Sequence, residues 1–160
     1  MLMALLAGCV TSPAMAELHT PFEVTGSVFR NPDGDTIWLD TAERGKLNIR
    51  LSGADTPETG QAYWKAARGY LRSLVARQKV TAWCYKRDRY EREVCHVRIG
   101  NRDVGEALIA EGYAWYAVQF AGELTEDQRR AYRAAEDQAR ARRLALWLED
   151  EPMPPWVCRV

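Results

Sequence analysis

The feature that most constrains the fold of this chain is a change in hydrophobic periodicity at Gln61. Before this residue, three stretches of alternating or β-branched residues are separated by Gly, Pro and Asp, as in antiparallel strands joined by turns. These stretches are FEVTGSVFR, DTIWLD and KLNIRLSGA, at residues 22–30, 35–40 and 46–54. After it, apolar residues recur every three or four positions from Tyr63 to Val75, and this spacing predicts a helix of about four turns.

The rest of the chain predicts two more strands and two more helices. KVTAWCY (79–85) and REVCHVRIG (92–100) have strand character around a charged loop, and DVGEALIAEG (103–112) predicts a short helix that stops at Gly112. Thr125 and Gln128 have capping-box spacing at the start of a long helix, which we expect to continue until the prolines of EPMPP (151–155). The order β-β-β-α-β-β-α-α indicates an α+β fold and suits a five-stranded OB-fold β-barrel with about three helices.

Charge is distributed unevenly along the 160 residues. The formal net charge is zero, so the total does not indicate a strongly basic nucleic-acid-binding protein. Residues 61–102, however, contain eleven basic and three acidic residues, which is a local excess of eight positive charges. Such an excess suits an anionic ligand, and a set of solvated helix and hairpin faces is the alternative.

Residues 1–16 have the character of an export signal. LMALLAGCV is a short apolar run, and Ala14 and Ala16 form an A-x-A cleavage pattern before Glu17. LLAGC instead resembles a bacterial lipoprotein box, in which Cys9 would carry the lipid. No Lys or Arg precedes the apolar run, and both alternatives stay open. Either one predicts a single exported domain over residues 17–160 that is periplasmic, extracellular or anchored to the outer membrane through Cys9.

The cysteines fit an oxidising compartment. Cys84 and Cys95 lie in consecutive predicted strands, where cross-strand neighbours come within disulfide range. We expect a disulfide between them, and two buried thiols are the alternative. Cys158 is then unpaired unless it meets Cys9 or another molecule. No zinc site is expected, because the sequence has no C-x-x-C spacing and its two histidines are far apart.

Two short stretches place carboxylates beside turn residues. NPDGDTIWL (31–39) contains Asp33, Gly34 and Asp35, which suit either a plain turn or a cluster of hard oxygen ligands for Ca²⁺ or Mg²⁺. IRLSGADTPE (49–58) gathers four polar candidates: Arg50, Asp55, Thr56 and Glu58. Arg50 stands in an apolar strand, where it needs an anionic partner, and that partner is either a ligand or Asp55.

A third stretch, KRDRYEREV (86–94), is the predicted tip of the hairpin between the last two strands. It carries four cations, Lys86, Arg87, Arg89 and Arg92. A solvated basic loop is the alternative to a phosphate-binding surface.

In combination, these motifs resemble the staphylococcal-nuclease-like (thermonuclease) family. The resemblance rests on DGDT, R-x-x-x-x-D-T-P-E, D-R-Y-x-R and EALIAEGYAW in this order, and it extends from about Phe22 to Trp147. Proteins of that family are OB-fold phosphodiesterases that cut single-stranded DNA and RNA with Ca²⁺. The resemblance implies the same activity here, with Mg²⁺ as the alternative ion, and we expect a monomer.

The resemblance also implies roles for individual residues. Asp35, Asp55 and the backbone carbonyl of Thr56 would hold the Ca²⁺, and Glu58 would be the general base for the attacking water. Arg50 and Arg92 would bind the scissile phosphate and stabilise its transition state. Further substrate contacts would come from four residues: Arg89, Tyr90, Tyr116 and Phe120.

The chemistry of phosphodiester hydrolysis requires the same residue types. A hard cation held by carboxylates neutralises the phosphate, a Glu accepts the proton of the water, and guanidinium groups bind the equatorial oxygens. The guanidinium is also planar and permanently charged, which suits phosphate oxygens.

Two departures from the family pattern point to a different outcome. Glu91 stands where the hairpin motif usually has Gly, so Arg92 could be aimed differently, and Val118 and Phe120 stand at positions where the family often has tyrosines. A catalytically degenerate OB-fold module that binds nucleic acid or another partner is therefore the alternative function.

Overall fold

Five long strands form a barrel in this computed structural model, which describes residues 19–159. In chain order the strands and helices are β1 (Phe22–Arg30), β2 (Thr36–Thr41), β3 (Gly45–Leu51), β4 (Ala54–Asp55), α1 (Trp64–Val75), β5 (Lys79–Arg87), β6 (Glu93–Ile99), β7 (Arg102–Asp103), α2 (Val104–Ala110), β8 (Trp115–Tyr116), α3 (Glu126–Ala141) and α4 (Pro155–Cys158). Short 3₁₀ helices cover Val118–Glu123 and Ala145–Leu148.

The barrel closes between its third and its sixth strand. Antiparallel pairing gives the order β3-β2-β1-β5-β6-β7, and β3 also pairs in parallel with β6, so that Ile49 lies opposite Glu93 and Leu51 opposite Cys95. β4 and β8 form a separate two-stranded sheet. This architecture confirms the predicted α+β fold, a five-stranded OB-fold barrel with three main helices.

The core lies inside the barrel and beneath the helices. Strand residues alternate between buried and exposed along β1 and β5, as period-2 patterning predicts. Helix α1 packs on the barrel with part of its expected apolar face, Ala67, Leu71 and Val75. The largest fully buried side chains include Tyr132, Ile37, Leu39, Ile49, Leu71, Leu108 and Ile109.

The long helix α3 begins where the capping box places it but ends earlier than expected. Thr125 Oγ1 accepts from the backbone N–H of Gln128, and Gln128 Oε1 accepts from that of Thr125. The expectation that the helix continues to the EPMPP prolines is wrong, because α3 ends at Ala141. The reversal that follows turns Leu146 and Trp147 inward, where they pack with Trp115 and Ala139.

This reversal depends on Gly112 and on two residues in left-handed conformation. Arg143 and Ala145 have φ of 52° and 44°, and the N–H of Leu146 donates to Gly112 O at 3.1 Å. Gly112 itself has φ of 74°, and a Cβ there would lie 2.3 Å from Leu144 O. The left-handed backbone and the close approach of Leu144 O both require glycine at this position. Gly112, which follows the end of α2, thus leaves space for the chain that follows α3.

The β5–β6 hairpin carries the expected disulfide. Cys84 and Cys95 are opposite one another in the antiparallel register and are joined with an S–S distance of 2.00 Å. The turn is closed by the N–H of Asp88, which donates to Arg92 O at 2.9 Å, and by the N–H of Glu91, which donates to Asp88 O at 3.0 Å. Glu91 occupies this turn with φ of 60°, the conformation that glycine adopts without strain.

The predicted N-terminal signal, the lipid-anchor candidate Cys9 and the predicted cleavage position before Glu17 lie outside the described residues. Within residues 19–159, no helix combines the length and the apolar character that crossing a membrane requires.

Breaking the Cys84–Cys95 disulfide should lower the free energy of unfolding. The bond closes a loop with a sequence separation of 11, and a crosslink of that size stabilises by about 2–3 kcal/mol. Urea unfolding with and without reductant, and of a Cys84→Ala/Cys95→Ala double variant, would measure this change. Cys158→Ser is the matched control because Cys158 is exposed and unpaired in the described chain, and equal stability of all proteins would contradict the prediction.

Replacing Glu91 by Gly should stabilise the protein by about 1 kcal/mol. A left-handed conformation costs a non-glycine residue roughly 1–2 kcal/mol. Part of that gain is lost because glycine has a larger conformational entropy in the unfolded state. Glu91→Ala removes the same carboxylate but keeps the backbone strain. Thermal unfolding should therefore separate the two variants, and an equal change in both would assign the effect to the lost charge.

Candidate active site

Eight of the ten predicted catalytic, metal-binding and substrate-binding residues line one pocket, and the exceptions are Asp55 and Tyr116. The pocket has a volume of about 910 Å³. Its walls come from the turn before β2, the end of β3 with the loop after it, the β5–β6 hairpin and the chain around residue 159. Residues of all three sequence motifs line it, among them Asp35, Arg50, Thr56, Glu58, Arg89 and Arg92.

Arg50 lies at the centre of the site. It is paired with Thr36 in the β2–β3 register, and its side chain is largely buried. Its Nη1 donates to Leu51 O at 2.6 Å and to Ala54 O at 2.7 Å. Its Nη2 donates to Asp55 Oδ1 at 2.8 Å and lies 3.3 Å from Asp35 Oδ2. The guanidinium thus fixes the loop after β3 and brings two carboxylates to the same nitrogen.

Asp35 is buried beside the DTPE loop. Its Oδ2 accepts the N–H and the hydroxyl of Thr56, both at 2.8 Å. This contact requires the glycine before Asp35, because a Cβ on Gly34 would lie 2.7 Å from Thr56 Oγ1. The DGD turn and the DTPE loop therefore pack as one unit.

Asp55 is wholly buried, with 0% of its side chain exposed. Its Oδ1 accepts from Arg50 and also from Arg159 Nη2 at 2.7 Å, and its Oδ2 accepts from Arg159 Nη1 at 3.0 Å. Burial raises the pKa of Asp55 above its ordinary value, and the two guanidinium groups oppose that rise. Of the two expected partners of Arg50, the structure shows Asp55, and Arg50 also lines the pocket.

Glu58 is the most accessible carboxylate of the DTPE motif, with 42% of its side chain exposed. Its Oε1 accepts from Arg159 Nε. Its backbone N–H donates to Gln61 Oε1 at 2.6 Å, which fixes the loop between β4 and α1. Glu58 therefore lies in the pocket and is bridged to Asp55 through one guanidinium.

Arg92 reaches the pocket from the hairpin. Its Nε and Nη2 contact Asp88 Oδ2 at 2.8 Å, and its Nη1 donates to Thr36 Oγ1 at 3.2 Å. Burial opposes the ionisation of Asp88, but hydrogen bonds from Arg92 and Tyr90 leave its pKa below the ordinary value. Despite Glu91, Arg92 thus lines the same pocket as Arg50.

The other hairpin cations have different surroundings. Lys86 pairs with Glu123, and Arg87 pairs with buried Glu93 at 2.6 Å. The described contacts of Arg89 are with the Tyr90 hydroxyl at 2.7 Å and with the Tyr90 ring. The basic tip is therefore neither a plain solvated loop nor a uniform anion-binding surface.

Asp33 has a structural place in the turn. Its Oδ1 accepts the N–H of Asp35 at 3.1 Å, which is the contact of an Asx turn. Burial and the nearby Asp35 raise the pKa of Asp33. Asn31 anchors the same turn to α1 by donating to Arg68 O at 2.9 Å.

The aromatic candidates for substrate contact separate into two groups. Tyr90 and Phe120 are exposed and line the pocket, with Phe120 43% exposed. Tyr116 is 2% exposed and packs edge to face on Tyr132 in the core. The expectation that Tyr116 contacts substrate bases is therefore corrected, because its ring does not reach the surface.

The donor atoms near Arg50 suit a hard cation. Carboxylates and carbonyls are the ligands that Ca²⁺ and Mg²⁺ prefer, and Asp35 and Asp55 lie within reach of one nitrogen. Among residues 19–159, no group of three or more His, Cys, Asp or Glu side chains is arranged for metal binding. A cation here would thus have two protein carboxylates and would complete its coordination with carbonyl, water or substrate oxygens.

Sequence reasoning missed Arg159, which donates two hydrogen bonds to Asp55 and one to Glu58. It is separated from Asp55 by 104 positions and from Glu58 by 101. No spacing signal marks it among the many arginines of the chain. Glu123, which accepts from Lys86 and Tyr85, was missed for the same reason.

Comparison with known proteins agrees with this geometry. The family model described as Staphylococcal nuclease homologue matches residues 48–149. A micrococcal nuclease of Shigella flexneri is 33% identical over 159 residues, covering 94% of this chain and 85% of that protein. An uncharacterized endonuclease of Escherichia coli O157:H7 is 30% identical over 138 residues, covering 86% of each.

Plant relatives are longer. A staphylococcal-like nuclease of Arabidopsis thaliana is 33% identical over 114 residues, which are 71% of this chain and 33% of that protein. The chain spans 22% of a related rice protein. The family match covers more than half of the chain, and together with the bacterial relatives it shows that this chain belongs to the staphylococcal nuclease family and is a nuclease of that family.

Proposed function

We propose that this nuclease is an exported, Ca²⁺-dependent endonuclease that hydrolyses phosphodiester bonds of DNA and RNA as a monomer. The observation that carries the proposal is the contact of one largely buried guanidinium, that of Arg50, with both Asp35 and Asp55 beside a pocket that Glu58 and Arg92 line. This combination supplies oxygen ligands for a hard cation, an accessible base and donors for a phosphate.

Asp35, Asp55 and the carbonyl of Thr56 are the proposed cation ligands, with Mg²⁺ as the alternative ion. When bound, such a cation neutralises phosphate charge and orients the water and the substrate. The Thr56 N–H and hydroxyl hold Asp35 from behind. That support keeps the carboxylate in one orientation, as outer hydrogen bonds do for metal ligands in general.

Glu58 is the proposed general base. A base must reach the proton of the water in the pocket, and Glu58 is accessible whereas Asp55 is wholly buried with both oxygens occupied. The difference in exposure favours Glu58 over Asp55 as the general base, although both belong to the same DTPE motif.

Arg50 and Arg92 are the proposed phosphate ligands. Both side chains line the pocket, one from β3 and one from the hairpin, and each is already oriented by a carboxylate. Preoriented guanidinium groups stabilise the charge that develops on the equatorial oxygens with little reorganisation. Arg89, Tyr90 and Phe120 extend the same surface, where exposed rings are suited to base stacking.

Export is the remaining part of the proposal. Residues 1–16 would be removed before Glu17, or Cys9 would carry a lipid, leaving residues 17–160 as one domain. The Cys84–Cys95 disulfide supports an oxidising compartment. The mass of the mature N-terminus distinguishes cleavage, lipidation and an intact Met1.

Glu58→Gln and Arg50→Lys should each reduce cleavage of single-stranded DNA and RNA in the presence of Ca²⁺. Loss of the general base should lower the cleavage rate roughly 10²- to 10⁴-fold. Arg50→Lys keeps the charge but loses the fork-shaped donor, which should lower the rate about 10²- to 10³-fold. Initial rates with Ca²⁺ and with a chelator would measure both effects, with Arg130→Lys as the control on exposed α3. A wild-type protein that binds but does not cut would support the degenerate binding module instead.

Asp35→Ala should abolish Ca²⁺-dependent cleavage, whereas Asp33→Ala should retain most of it. Asp33 supports the turn through one hydrogen bond, so its loss should cost about 1 kcal/mol of stability. Cleavage rates and thermal unfolding of the two variants, measured side by side, test the division. Equal loss of activity in two folded proteins would show that Asp33 is also a ligand.

A further inference from the structure

We propose that Arg159 is an internal competitor of the divalent cation, and that it leaves Asp55 and Glu58 when the cation binds. The inference rests on the proposed function, because it concerns the carboxylates assigned there to metal binding and to base catalysis. Residues 152–159, here called the latch segment, would then be a built-in inhibitory element of the nuclease.

The contacts of Arg159 are directed at both functional carboxylates. Two nitrogens of its guanidinium hold the two oxygens of Asp55, at 2.7 and 3.0 Å, and its Nε donates to Glu58. In this arrangement Asp55 Oδ1 already accepts from two arginines. Arg159 therefore uses lone pairs of Asp55 that a cation would need and holds the base that a water would need.

The latch segment is docked, so the contact is not that of a free side chain. Trp156 packs edge to face on Trp115 with ring centroids 6.2 Å apart, and Pro155 is buried. Met153 O accepts from Gln61 Nε2 at 3.1 Å, and the same Gln61 accepts the N–H of Glu58. The latch segment and the loop that carries Glu58 are thus joined at two points, through Gln61 with Met153 O and through Glu58 with Arg159.

Charge explains why Arg159 and a cation exclude one another. The pocket brings Asp35, Asp55 and Glu58 together, and a positive group beside them is favourable in the absence of metal. A divalent cation on the same carboxylates would repel the guanidinium at close range. Because binding free energies are reciprocal, a contact that the cation weakens must also weaken binding of the cation.

Release of Arg159 must occur by movement rather than by deprotonation. Burial alone would lower the pKa of Arg159, but the hydrogen bonds and charges of Asp55 and Glu58 raise it above its ordinary value. Its side chain is 36% exposed, in contrast to Arg50 at 12%. Arg159 can therefore turn into solvent, whereas Arg50 is enclosed by the barrel and stays.

Calcium binding measured by calorimetry on the full chain tests the proposal. Arg159→Ala should bind Ca²⁺ about tenfold more tightly than the wild type, and Arg159→Lys, which keeps the charge but loses the fork, should lie between them. Arg143→Ala is the matched control, since Arg143 is exposed and contacts Leu148 O and Asp150 away from the pocket. Hydrogen exchange of residues 152–159 should increase when Ca²⁺ is added to the wild type.

Each outcome decides the proposal. Tighter binding in Arg159→Ala with unchanged binding in Arg143→Ala supports it, as does Ca²⁺ binding that only the Arg159→Ala protein shows. Unchanged or weaker affinity, or no binding in either protein, overturns it. Cleavage of single-stranded DNA by the same preparations distinguishes failure of this proposal from failure of the proposed function. Ca²⁺-dependent cleavage together with an unaltered Ca²⁺ affinity in Arg159→Ala would reject only the inhibitory role of the latch segment.

Discussion

The structure of the site depends on the placement of one buried guanidinium at the end of β3. Arg50 satisfies two backbone carbonyls with one nitrogen and two carboxylates with the other. A buried charge without partners costs several kcal/mol, so Arg50, Asp35 and Asp55 are stable in this position only as a set. The set also fixes geometry, because Asp35 precedes β2 and Asp55 lies in β4, and the guanidinium holds these elements at a common point.

The β5–β6 hairpin supplies another part of the pocket lining, and several of its charged side chains are paired. Glu93 is buried between Arg87 and His19, and Glu123 accepts from Lys86. The Arg87–Glu93 and Arg92–Asp88 pairs join residues that all lie within 61–102, so they leave the positive excess of that segment unchanged. Lys86 and Arg98 pair with acids outside the segment, Glu123 and Glu23. Arg92, held by Asp88, is directed into the pocket, and the disulfide ties the strands that carry it. The strained Glu91 shows that the turn geometry is maintained by these contacts rather than by local preference.

Much of this arrangement was accessible from the sequence, because it is encoded locally. Strands, the capping box and the Cys84–Cys95 pairing follow from periodicity and turn residues that lie within a few positions of one another. The end of α3 was not accessible, since it depends on Gly112 accepting a segment more than thirty positions away. Tyr116 was misplaced for a related reason: the motif position is at the edge of the pocket, but the packing of Tyr132 turns the ring inward. The site itself was predicted through family motifs, and Arg159 was missed because a single arginine carries no pattern.

Because the carboxylates of the site lie close together, the contact of Arg159 also affects the stability of the fold. Asp35, Asp55 and Glu58 would repel one another if the pocket held no cation beyond Arg50. A guanidinium from a distant segment removes part of this repulsion and at the same time docks that segment onto Trp115 and the base-bearing loop. At the proposed cation site, the contact that stabilises the metal-free fold would also oppose the cation, because both effects arise from one charge on one pair of carboxylates. At the proposed cation site, stability without metal and affinity for metal would therefore be coupled, because Arg159 and the cation would compete for Asp55 and Glu58.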